Sequence, residues 1–351
     1  MTFEKKILAE MPKCYALGMF EGEDAPSFLA AVEKDGPIRR FTLDGEPLET
    51  VAPGPGGVMT ITQVPGRKDQ FLATRKFFSP NFGGDDAAIA SYTKQADGSW
   101  SEQILCDLPY VHRFGILKAA DGQLWVLACS IKGGAETGVK DDWRTPGAVW
   151  AAPLSDNLEQ YTADNQLKLT CVANYQVQNH GFWTAPDKSY VLISTAAGVF
   201  RYVPPTTPQG AWDVTCLLVQ PTSDIVATDF DGDGKLEILT FSKFHGDTLA
   251  IWHEGETRDR YEQVWCDPQK RSFLHALWAA ELNGEKCAVI GNRKDGRDLL
   301  LVRYVDGEYT VDVIDHDLGP ANCMVYTHDG SDYIAVAYRE TDQLALYKVV
   351  E

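Results

Sequence analysis

Thr228-Asp-Phe-Asp-Gly-Asp-Gly-Lys-Leu-Glu-Ile238 decides how the rest of the chain is read. Ile225, Val226 and Ala227 precede it, and Leu236, Ile238 and Leu239 follow, so a tight acidic turn joins two apolar strands. Asp229, Asp231 and Asp233 alternate, Gly232 and Gly234 permit sharp turning, and Glu237 stands beyond the last of them. Calcium-like ions take about six to eight oxygen ligands, which alternating carboxylates on a short loop can supply. The β-like flanks argue against a helix-loop-helix calcium site. Two readings remain, a solvated acidic hairpin and a turn holding a structural calcium-like ion on Asp229, Asp231, Asp233 and Glu237.

Outward from this turn, the chain is a succession of short apolar alternations punctuated by Gly, Asp, Asn and Pro. Aligning on the turn exposes a repeating unit of strand, turn, strand, loop, strand and outer strand. Units begin near Cys14, Gly57, His112, His180, Asp224, His275 and Asn322. The spacing is close to that of propeller blades and predicts an all-β, seven-bladed β-propeller spanning residues 1–351 as one domain. The last unit has three strands, and Phe3 to Glu10 resembles the outer strands of other units, so an N-terminal strand is expected to close the last blade. Ile131 to Pro146 reads as a loop inserted in the third unit.

Composition narrows the function. A net charge of −18 disfavours nucleic acid and anionic membranes as partners. No run is long enough to cross a bilayer, and no secretory leader is evident. Eight cysteines without CxxC spacing suit buried thiols in a cytoplasmic protein.

Three of the seven histidines, His112, His180 and His275, open first strands, which line the channel of a propeller. Three imidazoles hold a divalent transition metal such as zinc or manganese and leave a coordination position open. Asp224 opens the intervening blade as a further ligand or outer partner, and Asn322 opens the last. Each histidine is alternatively a packed residue of its own blade. The loops after the second strands carry Arg75, Lys132, Lys243, His245, Arg293 and Arg339, a basic ring at one mouth that suits an anionic or hydroxyl-rich ligand. Alternatively these are solvated loop charges. His245 is the candidate general acid or base. His253, His316 and His328 are placed away from the site.

The acidic turn resembles the FG-GAP/VCBS repeat of β-propellers, which implies a structural calcium. With His112, His180 and His275 it also resembles the propeller domain of the aldos-2-ulose dehydratase (1,5-anhydrofructose dehydratase) family. That resemblance implies a metal-dependent carbon–oxygen lyase acting on a keto-sugar or small sugar derivative. On this reading His245 or a nearby Lys moves the proton, Arg75 or Arg293 orients hydroxyls, and Lys132 and Arg339 complete the catalytic candidates. Propeller polysaccharide lyases, with His and Tyr as acid and base, are a second resemblance. A non-catalytic interaction propeller is the third expectation. Substrate identity, metal identity and oligomeric state stay open.

Overall fold

The computed structural model describes residues 1–81, 83–134 and 139–350. Its strands form seven antiparallel four-stranded sheets arranged as the blades of a propeller. The inner strands are Cys14–Glu21, Ile61–Gln63, Val111–Lys118, Gly181–Thr184, Asp224–Thr228, Leu274–Leu282 and Pro320–His328. A single 3-10 turn, Leu158–Gln160, is the only helical element among the described residues. Among the described residues no helix is long and apolar enough to cross a membrane.

Closure follows the expectation. Thr2–Glu10 pairs antiparallel with Gln343–Val350, from Thr2 opposite Val350 to Glu10 opposite Gln343, and completes the seventh blade. Lys5 reaches Asp315 of the sixth blade at 2.8 Å. The first strand thereby covers an edge that would otherwise present unpaired backbone groups.

Apolar side chains interleave between neighbouring sheets. Phe28 stacks on Phe41 with ring centres 5.4 Å apart, and Tyr326 of the seventh blade lies 6.0 Å from Phe28. Phe28 is fully buried, so truncating it to Ala would cost about 3–5 kcal/mol. One strand begins later than the repeat suggested. The Thr74 hydroxyl accepts from the amides of Met59 (2.6 Å) and Thr60 (3.1 Å). Those amides are withdrawn from a regular ladder, and the inner strand of the second blade shrinks to Ile61–Gln63.

The insertion in the third blade is shorter than expected. Leu124–Lys132 and Pro146–Pro153 are strands, so the connection runs from 133 to 145. Residues 135–138 of that insertion lie outside the described residues.

Candidate metal and acid–base centre

Local irregularity builds the centre of the channel. In the inner strands of blades 1, 3, 6 and 7 the pairing register skips one residue near the channel end. The skipped residues are Tyr15, His112, His275 and Ala321. A bulge re-aims the extra side chain, and here it turns Tyr15, His112 and His275 toward one another. Ala321, rather than Asn322, is therefore the seventh-blade equivalent of the histidines. Asn322 instead donates its side-chain amide to the carbonyl of Tyr15 at 2.8 Å.

His180 comes from blade 4, directly before Gly181–Thr184. A Cβ at Gly181 would sit 2.8 Å from the Cα of Asp224 and 2.1 Å from Ser194 Oγ. The absence of a side chain there lets blade 4 approach blade 5 closely. His245 belongs to the loop between Glu237–Ser242 and Thr248–Glu254 of blade 5. Its φ of 47° lies in the left-handed region, which disfavours a non-glycine residue and recurs at functional sites. Phe244 and Phe273 sandwich its ring at 3.9 and 4.3 Å between centres.

A ring nitrogen of each of His180, His245 and His275 lies within 4.8 Å of a ring nitrogen of the other two. His112 was expected in this trio, and the structure puts His245 there instead. The loop of blade 5 reaches inward over the channel, while the ring of His112 packs beside His180 with centres 4.6 Å apart.

Hydrogen-bond partners define the tautomers. His275 Nδ1 lies 2.7 Å from the carbonyl oxygen of Ala321. A carbonyl only accepts, so Nδ1 carries the hydrogen and Nε2 keeps its lone pair, which accepts from the Tyr15 hydroxyl at 3.2 Å. His180 Nδ1 lies 3.2 Å from the Ser223 carbonyl and 3.3 Å from Asp224 Oδ2. It therefore donates as well, and its buried Nε2 has no hydrogen-bond partner. Nε2 of His245 and Nδ1 of His112 are likewise buried and unpartnered. A carbonyl or carboxylate holding one ring nitrogen while the other stays free is the arrangement metal-binding histidines adopt. Asp224 thus serves as the orienting partner of His180.

Burial, reinforced by the neighbouring histidines and Arg113, holds His112 well below the ordinary imidazole range. Burial, with Arg293 and His180 and with His180 and Arg293 respectively, does the same to His275 and His245. All three are neutral at pH 7 and able to act as ligands or proton acceptors.

Tyr15 and Arg113 escaped the sequence reading. Arg113 donates to the Met59 carbonyl at 2.6 Å, and its guanidinium lies 5.6 Å from the centre of the Tyr15 ring. Tyr15 shares the bulge position of His112 and His275, so aligning units on that position rather than on histidine would have found it.

The basic ring divides. Arg293 lies over Phe273 at 4.7 Å and shares the Glu340 carboxylate with Arg339, which also pairs with Glu33. Arg293 borders the histidine cluster through Phe273, which stacks on His245, whereas Arg339 is linked to it only by way of Glu340. Arg75 pairs with Glu102 in the outermost strand of its blade and does not join the cluster. Lys132 is buried beneath Trp143 and donates to the Asp142 carbonyl at 2.6 Å, which accounts for its charge locally. Lys243 is exposed.

The acidic turn also changes membership. Asp229 uses both carboxylate oxygens on the amides of Gly232 (2.8 Å) and Gly234 (3.1 Å). It holds the turn and falls outside the compact cluster. Asp231, Asp233 and Glu237 remain, and His253 from the third strand of the blade joins them. His253 had been placed away from any site, because its distance in sequence hid the fact that the third strand ends beside the turn. Burial pushes the Glu237 carboxyl up to about 7, with Asp231 and Asp229 adding to the effect and the Phe230 amide opposing it.

No family model and no curated protein matches this sequence. Similarity to solved structures covers nearly the whole chain. A streptogramin B lyase superposes with a TM-score of 0.59 at 14% identity, over 98% of this chain and 97% of that one. The periplasmic gluconolactonase of Pseudomonas aeruginosa gives 0.56 at 16%, over 95% and 91%. An auxiliary nutrient binding protein from Bacteroides thetaiotaomicron VPI-5482 gives 0.54 at 12%, over 96% and 69%. At these identities the similarity establishes the propeller fold, which hosts both enzymes and binding proteins.

Proposed function

We propose that the chain is a cytoplasmic carbon–oxygen lyase acting on a small carbonyl-bearing sugar derivative, with a divalent transition metal held by His180, His245 and His275. The observation that carries this reading is the convergence of three histidines, two with tautomers set by Ser223 and Asp224 and by Ala321, beside the Tyr15 hydroxyl. The unpartnered buried Nε2 atoms of His180 and His245 fit such an ion, and Nε2 of His275 would join them by exchanging the Tyr15 hydrogen bond for the ion, which frees the Tyr15 hydroxyl to face substrate. When bound, the ion supplies Lewis acidity at a carbonyl oxygen.

The protein groups supply the proton movements. Neutral His112, with its unpartnered Nδ1, accepts the proton from the carbon next to the carbonyl. The electrons of that bond form the new double bond, and the β carbon–oxygen bond breaks onto its oxygen. Tyr15 gives that oxygen a proton, so that water or an alcohol departs. Solvent returns the proton from His112 to Tyr15. Arg113 and Arg293 favour the enolate charge that develops.

Substrate size follows from burial. His112, His180 and His275 are each at most 4% exposed, Phe244 and Phe273 stack on His245, and Trp143 packs against Phe244. This supports a small molecule over a polymer, and so favours the dehydratase-like reading over a polysaccharide lyase. Eight cysteines with free thiols support a reducing compartment.

The test combines metal analysis of protein purified without added metal with a panel of keto-sugars followed by enone absorbance. Wild type should carry transition metal and form an unsaturated product. His180→Ala and His275→Ala should lose both. Undiminished metal and turnover in both variants would refute the proposal.

A further inference from the structure

The acidic turn differs in kind from an oxygen-only calcium loop. His253 Nδ1 lies 2.7 Å from the Glu254 carbonyl and so carries a hydrogen, while Nε2 faces only carboxylates and therefore either donates a second hydrogen to Asp233 as an imidazolium or gives its lone pair to an ion. That Nε2 lies 3.1 Å from Asp233 Oδ2, 3.4 Å from Glu237 Oε1 and 3.9 Å from Asp231 Oδ2. An ion with bonds of about 2.0–2.2 Å in tetrahedral geometry sets its ligand atoms about 3.3–3.6 Å apart. The observed separations bracket that value.

The carboxylates are also oriented. Asp231 and Asp233 each spend Oδ1 on the amide two residues ahead, at 3.1 and 2.8 Å, while their Oδ2 atoms face His253. Glu237 is the independent sign of a ligand. It is 0% exposed. Its Oε2 accepts from the Phe230 amide at 2.5 Å, and its Oε1, aimed into the cluster, has no hydrogen-bond partner. Among the described residues no lysine or arginine forms a salt bridge with Asp231, Asp233 or Glu237. A buried carboxylate oxygen without a hydrogen-bond partner is costly and calls for a cation, either the His253 imidazolium 3.4 Å away or a metal ion.

We propose that Asp231, Asp233, Glu237 and His253 form a second divalent metal site, distinct from the central histidines, that prefers a borderline transition ion such as zinc over calcium. Imidazole favours such ions, whereas calcium takes oxygen ligands. Three residues of the site come from the first turn and second strand and one from the third strand, so the ion clips the blade at its solvent end. Asp231 and His253 also line a cleft of about 490 Å³ walled by Trp265, Tyr304 and Tyr309, which gives the ion a path in.

The experiment titrates chelator-stripped full-length wild type and His253→Gln with Zn²⁺ and with Ca²⁺, and records Co²⁺ difference spectra between the two proteins. The central histidines contribute equally to both and cancel in the difference. Wild type should bind about one more equivalent of Zn²⁺ than the variant, or bind it more than about 100-fold more tightly, beyond the usual effect of losing an outer partner. The Co²⁺ difference should show visible bands of low-symmetry coordination, and excess Ca²⁺ should not displace the ion. Glu237→Asp, which keeps the charge but withdraws the oxygen, should weaken Zn²⁺ as well. Equal Zn²⁺ binding by wild type and His253→Gln would overturn the proposal and leave an ion-pair cluster. Equal Ca²⁺ binding that outcompetes Zn²⁺ in both would overturn it in favour of an oxygen-only site.

Discussion

The hydroxyl of Tyr15 and Nε2 of His275 meet at 3.2 Å across the channel, although 260 residues separate them in sequence. Both residues occupy the bulge of an inner strand, in the first and sixth blades. The contact exists because the ring closes, and it gives the centre a proton donor facing an imidazole lone pair. Tyr15→Phe should keep the fold and the central metal while lowering kcat by about 10²–10⁴-fold, the range of a lost general acid. Metal content and turnover measured on one preparation check this. Equal losses of metal and activity would instead make Tyr15 a structural support.

The two histidine sets make different predictions. If the compact trio holds the ion, His245→Ala should reduce central metal occupancy as strongly as His180→Ala or His275→Ala. His112→Ala should keep the metal and lose turnover. Inductively coupled plasma analysis of the four variants decides the matter. Loss of metal in His112→Ala with retention in His245→Ala would restore the trio expected from strand position.

Glu340 bridges Arg293 and Arg339 at the border of the cluster. Burial tends to raise its carboxyl, but the two arginines outweigh burial and hold it below the usual carboxylate range. A folded value below the unfolded one means stability that is present above the unfolded pKa, about 4.3, and lost as pH falls toward the folded value. Glu340→Gln should therefore destabilise the protein most at neutral pH, and the gap to wild type should narrow as pH drops below about 4.3. Denaturant unfolding across that range measures it. A gap independent of pH would show that Glu340 acts by packing alone.

Removing residues 2–10 would expose the edge of Gln343–Val350. Each lost backbone hydrogen bond is worth about 0.5–1.5 kcal/mol net, so the loss should be on the order of several kcal/mol, with aggregation through the freed edge. Thermal unfolding and light scattering provide the readouts. A truncated chain that melts like the full one and stays monodisperse would show that the closing strand is dispensable.

Blade number, strand order and ring closure were legible in the sequence because they depend on local features. Strands follow from alternating apolar residues, and turns from Gly, Asp and Asn at positions such as Gly232, Gly234 and Asn283. The unpaired seventh unit required a partner strand, and only the N-terminal segment had the right pattern. The composition of the two clusters was less legible. His112, His180 and His275 were found from their place on inner strands, but the bulges that aim Tyr15, His112 and His275 are matters of pairing register, which alignment by residue type does not reveal. His245 enters from a loop whose path depends on Phe244 and Phe273 packing against it. His253 reaches the acidic turn from a strand that becomes its neighbour only when the blade assembles. Local periodicity therefore determined the propeller, while the meeting of side chains from different blades was decided by the tertiary structure, because a shift of one residue in register turns a side chain from the channel to the opposite face.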